Sequence, residues 1–158
     1  GVTSLVDISA PFDGWLDLFG RSGMRGFLAP GYASARWYME DDHELHYRWD
    51  EERGRAGFEA ALRLIDRAIQ HESGRLSGIV SPMQIDTCTE DLLRDSRAAA
   101  RERNLPFTVH VSQSVTEVRE MIRRHGRTPI QWANDIGLLG PGAVLGHALF
   151  LDTHSWVR

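Results

Sequence analysis

The chain has 158 residues, 42% hydrophobic and 25% charged, enough for one soluble globular domain with a buried core of its own. Its net charge of −4 offers nothing to nucleic acid or an anionic membrane, and no apolar run nears the roughly 20 residues that cross a bilayer. The single cysteine, Cys88, excludes a disulfide framework and a multi-cysteine zinc cluster and fits a reducing, cytoplasmic setting.

Val2 to Ile8 (VTSLVDI) is short, apolar and β-branched, and reads as a strand buried on both faces. Pro11 to Phe19 reads as a short amphipathic helix stopped by Gly20, and Met24 to Leu28 as a second strand. Ala29 to Asp50 shows no clear period but is dense in rings and charges. It reads as a long loop, either a surface excursion packed on its own rings or a substrate lid. Phe58, Leu62, Ile65 and Ile69 share one face of a helix from Arg55 to His71. Leu76 to Val80 is the third strand. Thr89 is placed to cap a helix from Glu90 to Arg103, whose arginines read as a solvated face. Phe107 to Val111 is the fourth strand, followed by helices from Ser114 to His125 and Pro129 to Leu138. Val144 to Leu151 is the fifth strand. Strands alternating with helices predict a parallel sheet with right-handed crossovers in a single domain over 1–158.

Two of these strands carry a histidine at or near the C-terminal end: His110 in FTVHV and His147 in VLGHALFL. Strand C-termini are where parallel α/β folds assemble their sites. Imidazoles there can ligate a metal or move protons, or can simply hydrogen-bond at a strand end.

The stretches GVTSLVD, SPMQIDTCTEDLLRDSRAAARERNLPFTVHVSQS and TPIQWANDIGLLGPGAVLGHALFLD together resemble the amidohydrolase superfamily. The branch they are most similar to holds aminohydrolases and chlorohydrolases: guanine and cytosine deaminases and triazine hydrolases. The order and spacing of the stretches carry the resemblance more than any single motif. It implies a partial (β/α)8 TIM barrel, about strands two to six of the family barrel. By the same resemblance His110 would ligate one divalent metal ion, zinc or iron, and His147 would lie beside the metal-bound water. The reaction implied is hydrolysis of carbon–nitrogen bonds in a small-molecule substrate, with the 29–50 loop, including Trp37 and Tyr38, contacting that substrate. Assembly of several copies stays open.

The sequence also departs from the family pattern. All 18 basic residues are arginine, and LSGIV carries neither lysine nor glutamate, so a binuclear site bridged by a carboxylated lysine is not expected. Gln113 stands where the branch usually has a proton-shuttling glutamate, and Met83 where a substrate-binding histidine is common. Gln113 cannot take up a proton, though it can position a water or an amide as donor and acceptor. The family's His-x-His pair and last-strand aspartate are both missing. The chain is therefore expected to be an internal piece of a longer enzyme, inactive alone. Two other readings remain: a five-stranded doubly wound binding domain, and a barrel homologue that no longer hydrolyses anything.

The remaining polar residues have ordinary readings beside functional ones. Asp7 either accepts from a ligand histidine or caps the next segment. Cys88 reads as a packing cysteine rather than a thiolate. His154 reads as a loop histidine, His43 and His46 as at most an adventitious metal pair, and His71 and His125 as partners of helix dipoles. Trp132 and Ile136 read as core.

Overall fold

The computed structural model of the chain describes residues 1–41 and 43–151. Its elements run β1 (Ser4–Asp7), α1 (Trp15–Ser22), β2 (Arg25–Leu28), β3 (Gly31–Tyr32), β4 (Ala35–Met39), β5 (Leu45–Trp49) and α2 (Glu51–Ile69). Then follow β6 (Leu76–Gly78), β7 (Ser81–Pro82), α3 (Glu90–Glu102), β8 (Phe107–Val111), α4 (Val115–His125), α5 (Pro129–Asp135) and β9 (Ala143–His147).

Local sequence explains the helix boundaries. The Asp50 carboxylate accepts from the Arg53 amide to start α2, and Thr89 accepts from Leu92 to start α3. Thr128 and Gln131 form a reciprocal capping box at α5, with Pro129 in its first turn. Phe58, Ala61, Ile65 and Ala68 recur at three- and four-residue steps and form the buried stripe of α2.

The sheet pairings follow chain order and, outside one hairpin, are all parallel. β2 lies between β1 and β6, β3 pairs with β7, and β8 with β9. Isolated parallel bridges at Val80–Phe107 and Gln84–His110 join these small sheets across the middle. The main core fills the space between the strands and α2, α3, α4 and α5, with Ile65, Val80, Ile85, Leu93, Phe107, Val111 and Met121 fully enclosed. A second cluster of Trp15, Leu16, Phe19, Leu28 and Leu76 seats α1.

Four expectations change. The helix expected over Pro11 to Phe19 with Gly20 as its stop runs instead over Trp15–Ser22, with Gly20 inside it and the left-handed Gly23 as its cap. The first strand is not buried on both faces: Val2 and Val6 are exposed, because β1 pairs only with β2 among the described residues. The 29–50 loop is a β-hairpin, with β4 and β5 antiparallel and Trp37 directly opposite Tyr47. Rings on both faces of both strands hid its period of two from a reading that looks for apolar–polar alternation. The fifth strand ends at His147 rather than Leu151, because His147 and Ala148 both take left-handed backbone conformations. His154 lies outside the described residues.

Candidate active site

His110 sits at the fourth position of β8, half-buried, and its Nδ1–H donates to the main-chain carbonyl of Met83. A carbonyl only accepts, so the hydrogen bond fixes the tautomer and leaves Nε2 with a free lone pair. That is the posture of a metal-ligating imidazole held by a backbone partner. His147 closes β9 in register with Val111, and the two imidazoles lie with centroids 5.2 Å apart. Gly146 is opposite His110, and a Cβ there would fall 2.9 Å from the His110 ring. The glycine before His147 thus makes the room that His110 occupies.

The chain turns sharply beyond both histidines. Ser112 has φ of 53°, His147 of 64° and Ala148 of 49°. Ser112 carbonyl oxygen accepts from the amides of Leu149 and Phe150, so the two turns are latched together. Non-glycine residues in this region are strained, and here they gather where two adjacent strands end.

Glu117, on the first turns of α4, holds the Ser112 turn from behind. Its carboxylate accepts from the amides of Ser112 at 2.6 Å and Gln113 at 2.9 Å, and the residue is 0% exposed. Burial pushes its pKa up to about 7, against the lowering effect of the two amides, and the Asp86 carboxylate nearby adds to the rise. Gln113 projects from this turn with its Nε2 buried and without a hydrogen-bond partner.

Asp86 is the other buried carboxylate. Its Oδ2 accepts from Trp37 Nε1 at 3.1 Å and from the Tyr47 hydroxyl at 2.6 Å, tying both hairpin strands to the turn after β7. Arg124 donates to the Asp86 carbonyl at 2.6 Å and lies over the rings of Tyr47 and Trp49. Burial raises the Asp86 pKa.

The predicted site residues therefore fall into two groups. His110, His147 and the Met83 backbone converge at the strand ends, whereas Gln113 lines the cleft between the hairpin and α4. Met83 places its side chain against Gly31, where a Cβ would meet its sulfur at 2.1 Å. Trp37 reaches the same region through Asp86. Tyr38, next in the strand, faces the other side of the hairpin, where it stacks on His46 and carries Arg48 over its ring. Asp7 anchors α1, accepting from Ser9 Oγ and from Trp15 Nε1 at 3.0 Å. Cys88 is buried beside the Tyr32 carbonyl, and burial pushes its thiol pKa up to about 12, which favours the neutral thiol of a packing residue. His125 stacks on Trp132 at 4.1 Å, and burial with Arg124 beside it lowers its pKa. Among the described residues no cluster of three or more His, Cys, Asp and Glu is placed to hold a metal ion.

Sequence reasoning passed over Glu117 and Asp86. The signal for Glu117 was a glutamate at the third position of a helix capped by Ser114, directly after a strand-end histidine. Asp86 gave no local signal, since its partners lie far along the chain.

The pattern of the amidohydrolase family matches residues 1–158. The 5-methylthioadenosine/S-adenosylhomocysteine deaminase 2 of Archaeoglobus fulgidus is 30% identical over 96% of this chain, which covers 33% of that protein. A guanine deaminase from C. acetobutylicum, solved with bound guanine, superposes at a TM-score of 0.76 with 12% identity, over 97% of this chain and 36% of its own. A zinc-bound adenosine deaminase from Xanthomonas campestris does so at 0.74 with 16% identity, over 95% of this chain and 31% of its own. These structural likenesses speak for the fold alone, and the chain spans about a third of the length of such relatives. With the family pattern matched from end to end, the chain belongs to the amidohydrolase family.

Proposed function

We propose that this chain forms part of a metal-dependent hydrolase that acts on carbon–nitrogen bonds of a small, cyclic or amidine-type substrate and releases an amine. The observation that carries the reading is His110, with its tautomer fixed by the Met83 carbonyl and His147 beside it. The deaminase names of the relatives support the same reaction class. The strand order supports the architecture expected from the sequence, an arc of a (β/α)8 barrel covering about strands two to six. β1 lies at an edge and the parallel pairings then follow the chain, whereas a doubly wound sheet reverses direction at an internal switch point.

His110 fits one divalent metal ion, zinc or iron, through Nε2. The described residues do not complete a ligand set, so further ligands are assigned to the longer protein. A metal bound there would lower the pKa of its water towards neutrality and polarise the substrate. His147 is exposed at the strand end, and on this reading it would hold the proton exchanged between water and leaving amine. Gln113 cannot store a proton, so its free amide N–H orients the substrate instead. Trp37, on the cleft side of the hairpin, is assigned to substrate contact, while Tyr38 faces away and the Met83 side chain packs on Gly31.

In the enzyme that carries this chain, His110→Ala is expected to abolish both metal content and ammonia release. Unchanged metal content and turnover in that variant would sink the reading. Gln113 favours one second reading, a family member that has lost hydrolysis. Metal-dependent turnover of any amine, amidine or halogenated heterocycle would exclude it.

A further inference from the structure

Successive amides of an extended strand point to opposite sides, yet Ser112 and Gln113 give both of theirs to one carboxylate. The left-handed φ of 53° at Ser112 turns the two N–H groups the same way. Glu117 fills that concavity with one oxygen on each, at 2.6 and 2.9 Å. At the third position of α4, a capping box would return this carboxylate to the Ser114 amide. It reaches one and two residues further back instead.

The far ends of the same two peptide groups are also occupied. The Val111 carbonyl shares a peptide with the Ser112 N–H and accepts from Ala148 at 3.0 Å. The Ser112 carbonyl shares a peptide with the Gln113 N–H and accepts from Leu149 at 3.0 Å and Phe150 at 3.1 Å. Each peptide group is thus bonded at both ends, to Glu117 on one side and to the residues that follow His147 on the other. Hydrogen bonds in such a chain polarise one another, and the charged acceptor makes its end the strong one. The turn needs that outside hold. His147 and Ala148 are both left-handed, and β9 ends at His147 with one sheet neighbour among the described residues. Strained backbone of this kind persists only where its surroundings over-determine it.

We propose that Glu117 is the positioning residue of His147. Its two oxygens act through the Val111–Ser112 and Ser112–Gln113 peptide groups to fix the turn at 147–148, and with it the imidazole 5.2 Å from that of His110. That this imidazole serves proton exchange rests on the hydrolase reading. Its placement does not.

The test is hydrogen–deuterium exchange of the metal-free protein that carries this chain, wild type against Glu117→Gln. Glutamine keeps the length and one acceptor oxygen but turns an NH2 towards the second peptide. Exchange over residues 148–150 is expected to quicken about tenfold, the scale of one lost bond to a charged group, with β1 and β2 unchanged. The 13C-labelled ring signal of His147 should shift, while that of His71, which packs on Gly20, stays. Ser114→Ala removes the hydroxyl that caps α4 but no bond of this chain, and should move neither readout. In the wild type, the amides of Ser112, Gln113 and 148–150 should open as one unit as denaturant is added. Unchanged exchange and ring signal in Glu117→Gln, the same changes in Ser114→Ala, or separate opening in the wild type overturns the proposal. On the hydrolase reading Glu117→Gln also lowers kcat with metal content held. Exchange is read without turnover, so a failure here leaves that reading standing, and an inactive wild type leaves this one standing.

Discussion

Single residues at the strand ends keep their positions because their neighbours hold them. Gly146 is one such neighbour. A methyl group at that position would press on the His110 ring from 2.9 Å, so Gly146→Ala should displace the imidazole. The expected result is a loss of metal affinity of about tenfold or more, the scale of lost support for a ligand, read by competition with a chelating dye. Glu117 is another. Its carboxyl ionises near 4.5 when unfolded and at about 7 when buried, so the folded chain holds the extra proton between those values. Stability is therefore highest below the unfolded value, falls as pH rises from about 4.5 to about 7, and levels off above, a span bounded by about 3 kcal/mol. Glu117→Gln should flatten that slope in denaturant titrations run across the window. Asp86, whose pKa is raised by the same burial, adds a slope of the same sign, and His125, whose pKa is lowered by burial, one of the opposite sign.

Elements are joined here by side chains that reach across them. The arginines of α3, which read as a solvated face in the sequence, are a rack of donors. Arg94 donates to the Ile136 carbonyl at 3.0 Å, Arg97 to Pro141 at 2.7 Å and Arg101 to Gly137 at 3.2 Å. They satisfy carbonyls at the end of α5 and along the loop into β9, and so hold the strand that ends in His147. Arg97 is buried and stacks over Phe107, while Arg101 is exposed. Arg97→Ala should cost about 2–4 kcal/mol, from lost packing and an orphaned carbonyl, and Arg101→Ala less than about 0.5 kcal/mol. Urea unfolding of the two variants side by side checks the contrast. The contact between α2 and β6 is equally specific, because a Cβ on Gly78 would meet Ile65 at 2.4 Å. Gly78→Ala should therefore lower stability by about 1–3 kcal/mol through overpacking.

The first and last strands, β1 and β9, are edge strands, each with one sheet neighbour among the described residues. Exposed Val2, Val6, Val144, Leu149 and Phe150 lie on or next to them. Unpaired edges with apolar side chains recruit further strands. Residues 1–158 produced alone should accordingly self-associate as concentration rises, in sedimentation velocity or light scattering. A compact monomer at every concentration would instead favour the self-sufficient domain. Among the described residues no helix is long and apolar enough to cross a membrane.

Pattern within a few residues was enough to place most of the helices, the parallel order and the two strand-end histidines. The α2 stripe, the Thr89 cap and the limits of β8 are local facts, set by periodicity and capping that any window of the sequence contains. His110 at a strand end followed from the same reading. The hairpin, the Asp86 anchor, the Glu117 brace and the arginine rack belong to the tertiary structure. Trp37 and Asp86 are 49 positions apart, and Arg97 and Pro141 are 44 apart. No local period encodes such pairs. A buried carboxylate or guanidinium is tolerated only where folding delivers its donors or acceptors, so only the folded chain shows which polar residues were placed to meet.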